Sequence, residues 1–157
     1  MPLIYIETVI KAPLARVFDL ARSIDLHSVS AAHTRERAVA GRTSGLIGLH
    51  ETVTWEAVHF GIRQRLESEI TALQYPYYFR DEMRKGAFRS IYHEHIFGEK
   101  NGRTLMTDQF SFEAPLGVLG RCANALFLTR YMKRFLVRRN NIIKAYAETE
   151  QWQQILK

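Results

Sequence analysis

From Leu49 to Glu113 the sequence alternates apolar and polar residues with period two; after Pro115 it changes to steps of three and four. That change of period limits the fold more than any other feature. Val53, Trp55 and Ala57 alternate with Thr52, Thr54 and Glu56. Ile62, Gln64, Leu66, Ser68 and Ile70 then alternate with Arg63, Arg65, Glu67 and Glu69. Period two is the mark of strands with one face on a core. Phe60-Gly61 and Lys85-Gly86 read as turns around these strands, and Glu99-Lys100-Asn101-Gly102 as the turn joining strands at 88–97 and 103–113. Beyond Pro115, Leu128, Met132, Phe135, Leu136, Ile142, Ile143 and Tyr146 share one helical face. The spacing predicts one long helix over about 119–150. Hairpin-linked strands with segregated helices define an α+β chain. A curved antiparallel sheet of about six to seven strands needs a cover, and this helix is the one element large enough.

The N-terminal part fits the same plan. Residues 3–11 read as a strand, ended by Ala12-Pro13. Leu14, Val17, Phe18 and Ala21 follow at helical spacing, and Asp25 is placed to open a second short helix to about Val29. Residues 33–40 read as a short strand before a loop marked by Gly41, Gly45 and Gly48. There is no repeat or linker, so residues 1–157 are expected to form a single domain. At 46% apolar and 24% charged residues the composition is that of a folded chain, not a disordered one. No stretch approaches the ~20 apolar residues of a membrane span, and the N-terminus has no signal-peptide pattern. Cys122 stands alone, which excludes an intramolecular disulfide and a cysteine-cluster metal site. A cytoplasmic setting is expected.

Chemistry is sought where the alternation is violated. The parity that points Val53, Trp55 and Ala57 inward also points Glu51 and His59 inward. Asp81 shares a face with Phe79 and Met83; His93 and His95 share one with Ile91 and Phe97; Asp108 shares one with Met106, Phe110 and Phe112. If Phe97 lies opposite Thr104, His95 opposes Met106 and His93 opposes Asp108, within hydrogen-bonding reach. Arg139 falls inside the apolar stripe of the long helix and needs a buried partner, for which Asp108, Asp81 and Glu51 are the candidates. Such groups either pair to fix helix on sheet or line a ligand cavity left between them. His93 held by Asp108 is also the pattern of a general acid–base. Two histidines at i, i+2 with Asp108 imitate a metal site only weakly, and neither a metal nor a cofactor is expected.

The net charge of +6 is local. Between Glu113 and Glu148 there is no acidic residue, and Arg121, Arg130, Lys133, Arg134, Arg138, Arg139 and Lys144 all lie there. Without those seven the chain has 15 basic and 16 acidic side chains. A basic outer helix face fits an anionic membrane surface or an acidic protein. Nucleic acid is not the expected partner, because the aromatics belong to the core instead of being interleaved on that face.

The order of elements resembles the SRPBCC (START-like) superfamily, which includes birch-pollen-allergen-like proteins, polyketide cyclase/dehydrases and coenzyme-Q-binding proteins. The likeness rests on Ile10-Lys-Ala-Pro13 with Val17-Phe18-Asp19, on Val53-Thr-Trp55 with His59-Phe-Gly-Ile-Arg63, and on Phe88 with His93-Glu-His95. Thr107-Asp108, Pro115-Leu-Gly117 and Arg139-Asn140 add to it. The resemblance implies a helix-grip fold around a hydrophobic cavity. The expected function is then soluble binding of a lipid, quinone or polyketide-like molecule. Trp55, Met83, Met106, Phe110, Met132 and Phe135 are its expected apolar contacts. Glu51, His59, Asp81, His93, His95, Asp108 and Arg139 are its expected polar ones. The alternatives are a cyclase/dehydratase-type enzyme using His93 and Asp108, and an interaction module using the basic helix face.

Overall fold

The computed structural model describes residues 2–59, 61–114 and 125–156, with Ala125 described in its backbone alone. Pro115, Arg121, Cys122 and the expected helix start at 119 lie outside the described residues. Strand β1 (Leu3–Ile10) leads into helices α1 (Leu14–Ala21) and α2 (Ile24–Ser30). A 3-10 turn at Ala32–Thr34 precedes β2 (Arg37–Gly41). Then follow β3 (Thr52–His59), β4 (Ile62–Gln74), β5 (Tyr78–Lys85), β6 (Ser90–Lys100) and β7 (Arg103–Glu113). Helix α3 (Ala125–Glu148) and the short α4 (Trp152–Ile155) end the chain. The strands form one sheet in the order β1-β7-β6-β5-β4-β3-β2, paired antiparallel throughout. This is a helix-grip fold: a seven-stranded curved sheet around a long C-terminal helix.

Local chemistry explains the first elements. In α1, Leu14, Val17, Phe18, Leu20 and Ala21 are buried, and Phe18 meets the rings of Tyr75, Phe79 and Phe97 edge-on at 5.1–5.4 Å. The cap of α2 is Ser23, not Asp25: its side chain accepts from the Leu26 N–H at 3.1 Å. Asp25 sits in the first turn and accepts instead from the Gly45 N–H at 3.0 Å. The expected strand at 33–40 is divided, because the 3-10 turn occupies its start. Bulges between Ala38 and Ala40, Glu67 and Ser68, and Ile70 and Ala72 bend the sheet. Gly41, at φ 73°, lies where a Cβ would stand 2.3 Å from the Thr52 carbonyl oxygen.

The β6–β7 hairpin corrects the expected register. Asn101 and Gly102 both have positive φ (54° and 76°) and form a two-residue loop between Lys100 and Arg103. Phe97 therefore faces Met106, His95 faces Asp108, and His93 faces Phe110. β6 runs two residues further toward the turn than the expected pairing allows and β7 no further, which moves the pairing by two. An even shift keeps every side chain on its face.

The buried apolar residues form two groups. One includes Ile10, Phe18, Val53, Trp55, Phe79, Phe97, Met106 and Ile143; the other is Ile4, Ile91, Phe110, Phe112 and Leu136. The C-terminal half of α3 is tied to β1: Lys144 Nζ donates to the Val9 carbonyl at 2.8 Å, and Asn140 Nδ2 donates to Thr8 Oγ1 at 3.3 Å.

Candidate functional site

A cavity of about 200 Å³ lies between the concave face of the sheet, α2 and the N-terminal half of α3. It draws its wall from both apolar groups: Val53, Trp55, Ile70 and Phe79 from one, Ile91, Phe110 and Leu136 from the other. Of the residues expected from sequence, Trp55, His59, Asp81, His93, His95, Phe110, Met132, Phe135 and Arg139 line it. Asp108 is fully buried just behind the lining and holds His93. Met106 is packed into the core, and Met83 packs against the second apolar group.

Glu51 departs from expectation. It lies one residue before β3, so the strand's parity does not extend to it. It pairs outside the cavity with Arg42 at 2.8 Å and accepts from the Gly48 N–H at 2.7 Å. The hydrogen bond from Arg42 holds its carboxyl below the usual range. Glu56, on the outer face of the sheet, is buried beneath Arg37 and Arg65, at 3.1 and 2.9 Å.

A charged cluster crosses the floor of the cavity. His93 Nε2 and Asp108 Oδ1 share a hydrogen bond of 2.8 Å, and His95 Nε2 and Asp81 Oδ2 share one of 2.7 Å. These bonds are diagonal across the strands: the residue directly opposite His93 on β5 is Asp81, and that opposite His95 on β7 is Asp108. The rings form a column, with Phe79 stacked on His95 at 4.0 Å, His95 against His93 at 3.8 Å, and Phe110 edge-on to His93 at 5.1 Å. Arg139 is 5% exposed. Its Nη1 lies 3.4 Å from Asp108 Oδ1 and donates to Asn140 Oδ1 at 2.9 Å, while Nη2 donates to the Ala21 carbonyl at 3.3 Å. Asn140 Nδ2 donates to Asp108 Oδ2 at 2.7 Å. Asp108 is thus the partner of Arg139 among the three carboxylates considered.

Electrostatics follow from burial and these contacts. Burial would raise the Asp108 carboxyl, but the hydrogen bond from His93, the neighbouring His95 ring and the Arg139 charge outweigh it and hold it well below the usual range. Burial likewise acts against the ionised form of Asp81, and the His95 hydrogen bond and the nearby His93, His95 and Arg139 overcome it. His93 is pushed down, first by burial and then by His95.

Sequence reasoning missed the other end of the cavity. His27 lies against Trp55, ring centroids 4.2 Å apart, and is bonded to Glu36. Helical spacing carries the signal, since His27 follows Ile24 and Ser23 by three and four positions on the buried face of α2. Tyr131, four residues before Phe135 on the helical stripe, shares a hydrogen bond of 2.5 Å with His59 Nδ1. Burial lowers the His59 pKa below its ordinary 6.5, against a weaker opposite pull from Glu36. The neutral ring is the stable one here. The part of stability due to His59 is therefore present above pH 6.5 and is lost as pH falls through the folded-state pKa. An NMR titration is expected to place the His59 midpoint below 6.5, and Tyr131→Phe should shift it again; a midpoint at or above 6.5 contradicts this burial effect.

Comparison with solved structures bears out the architecture. The chain matches TTHA0849 from Thermus thermophilus with a TM-score of 0.72 at 19% identity, over 93% of this chain and 99% of that one. It matches ginseng major latex-like protein 151 from Panax ginseng at 0.66 and 18% identity, over 94% and 98% of the two chains. Ms6760 from Mycobacterium smegmatis matches at 0.66 and 19% identity, over 91% and 88%. At these identities the likeness is one of fold, and it is the helix-grip fold that the sequence resemblance implied. No protein-family model and no curated protein matches the sequence. Among the described residues no helix is long and apolar enough to cross a membrane.

Proposed function

We propose that this protein binds a hydrophobic small molecule with a polar end in the cavity between sheet and α3. The observation that carries this reading is an apolar cavity whose wall contains ionisable groups, the buried His93, His95 and Arg139 and the half-buried Asp81. Apolar walls supply contact area and a few convergent polar groups set orientation. Lipids, quinones and polyketide-like molecules have this form. Trp55 is a built-in reporter, because the only other tryptophan, Trp152, lies in α4. In a Trp152→Phe background, 1,4-naphthoquinone is expected to quench Trp55 saturably at one site per chain. Met132→Trp fills the cavity and should weaken binding of 1-anilinonaphthalene-8-sulfonate at least ~10-fold with the circular dichroism spectrum unchanged, a loss of about 1.4 kcal/mol. Linear, unsaturable quenching, or binding that ignores Met132→Trp, overturns the reading.

The 2.8 Å contact between His93 and Asp108 favours a second reading, an acid–base enzyme of cyclase/dehydratase type. Turnover of a polyketide-like substrate that persists in His93→Gln would eliminate it. The outer face of α3 exposes Arg130, Lys133, Arg134 and Arg138, with Leu126 65% exposed beside them. Lys144 is not part of that free face, because it is held by Val9 and Glu148. This face suits an anionic membrane or acidic protein from which a ligand is collected. Binding to phosphatidylglycerol vesicles should fall steeply with added salt and drop in an Arg130→Glu/Arg134→Glu variant; equal binding to neutral phosphatidylcholine vesicles refutes it.

A further inference from the structure

We propose that Asp81, His93 and His95 form a binding site for one divalent transition-metal ion, with its open side toward the cavity. One ligand atom from each of the three side chains can be chosen so that all lie within 4.8 Å of one another. Asp81 Oδ2 is 2.7 Å from His95 Nε2 and 3.8 Å from His93 Nδ1. Ligand bonds of about 2.1 Å place neighbouring donor atoms about 3.0 Å apart in an octahedral shell and about 3.4 Å apart in a tetrahedral one. The two distances to Asp81 lie on either side of that spacing.

The ring protons of the cluster can be arranged to suit a metal. Each imidazole spans both carboxylates: His93 reaches Asp108 through Nε2 and Asp81 through Nδ1, and His95 reaches Asp81 through Nε2 and Asp108 through Nδ1. A neutral imidazole has one N–H. Four ring nitrogens therefore face carboxylate oxygens with two protons between them. The 2.7 Å contact to Asp81 places the His95 proton on Nε2, and the His93 proton goes to Asp108. Asp108 lies 2.8 Å from His93 Nε2 and 3.4 Å from His95 Nδ1, and it is itself fixed by Asn140 and Arg139. His95 Nδ1 is a buried nitrogen without a hydrogen-bond partner, so it has room to take a proton toward Asp108. A metal ion that displaces the His95 proton from Nε2 to Nδ1 leaves the lone pairs of His93 Nδ1 and His95 Nε2 converging with the Asp81 carboxylate. Metal-bound histidines commonly donate their second N–H to a carboxylate that fixes ring and tautomer, the position Asp108 holds for both rings.

Charge also leaves room for a cation. Two carboxylates and one guanidinium leave one negative charge on the cluster when both imidazoles are neutral. Among the described residues Asp81 has no Arg or Lys ion-pair partner. It is the most open of the three, at 23% side-chain exposure against 7% and 3% for His93 and His95. The protein donors thus occupy one side of the site and the cavity the other. Two imidazoles and one carboxylate suit Zn²⁺, Co²⁺, Fe²⁺ or Mn²⁺, whereas Mg²⁺ and Ca²⁺ favour oxygen-only shells. A ligand's polar oxygen could complete the shell, and that clause alone depends on the proposed small-molecule function.

The test uses metal alone. Chelator-treated protein titrated with Co²⁺ is expected to develop visible absorption bands at one equivalent, with a micromolar or tighter Kd, and Zn²⁺ should displace the Co²⁺. Asp81→Asn and His95→Gln should each weaken Co²⁺ at least ~100-fold, while His27→Gln, at the far His27–Glu36 pair, leaves it unchanged. Should the site variants not fold, the wild-type Co²⁺ form is read by NMR, where two paramagnetically shifted imidazole rings are expected. No saturable Co²⁺ binding, binding that survives both site variants, loss with His27→Gln, or a ring count other than two overturns the site. Unsaturable quinone quenching alongside normal Co²⁺ binding would defeat the small-molecule reading and leave the metal site standing.

Discussion

Asp108→Ala is expected to lower stability by about 3–5 kcal/mol, read from the midpoint of urea unfolding at constant slope. Asp108 is fully buried, and four groups from two elements converge on it. His93 and His95 approach from β6, Asn140 donates from α3, and the Arg139 guanidinium lies beside it. Truncation leaves a 5%-exposed guanidinium without its countercharge and two donors without their acceptor. Asp108→Asn keeps the volume and one acceptor, so it should cost less than Asp108→Ala. Asp108→Leu/Arg139→Leu should recover much of the loss, because replacing a buried ion pair by apolar groups is often near neutral. An Asp108→Ala loss below about 1 kcal/mol would show that the cluster does not anchor α3 to the sheet. Arg139→Leu follows from the same geometry. Its guanidinium is already committed to Asp108, Asn140 and Ala21, so the substitution should lower stability as well as alter the cavity wall. Ligand affinity must therefore be measured on the folded fraction.

Phe18→Ala is the second large loss, again about 3–5 kcal/mol. The ring is completely buried and touches three aromatic rings, so truncation removes both apolar burial and edge-on contacts worth about 0.5–1.5 kcal/mol each. Phe18→Leu refills most of the volume and should cost markedly less. The effect reaches the site through α1: Phe18 is three residues before Ala21, whose carbonyl accepts from Arg139, and five before Ser23, the cap of α2. Loosening α1 should therefore weaken probe binding in the cavity even in molecules that remain folded. Equal losses for Phe18→Ala and Phe18→Leu would contradict cavity formation as the cause.

Much of the site was legible because face assignment is a local property. His93 and His95 on β6 and Asp108 on β7 fall on the inner face by counting in twos, and that survives any even change of register. The expected His93–Asp108 contact is present although the expected pairing is not: the bond runs diagonally, and Asp108 is directly opposite His95. Glu51 was misplaced because the count was extended past the start of β3, where the backbone no longer alternates. His27, Glu36 and Tyr131 were missed because nothing in the strand pattern refers to α2 or to the helix facing it.

The amino-acid sequence by itself determined the kinds and order of elements, the apolar stripe of α3, the location of the positive charge, and which ionisable groups violate the pattern. These depend on periods of two and about 3.6 residues, which are written along the chain. Only the tertiary structure decided how the charges pair and what space remains between sheet and helix. The two-residue Asn101-Gly102 loop sets the register, and Arg139 chooses Asp108 over Asp81 and Glu51. Both outcomes depend on distances between strands and helix, quantities that no local period encodes.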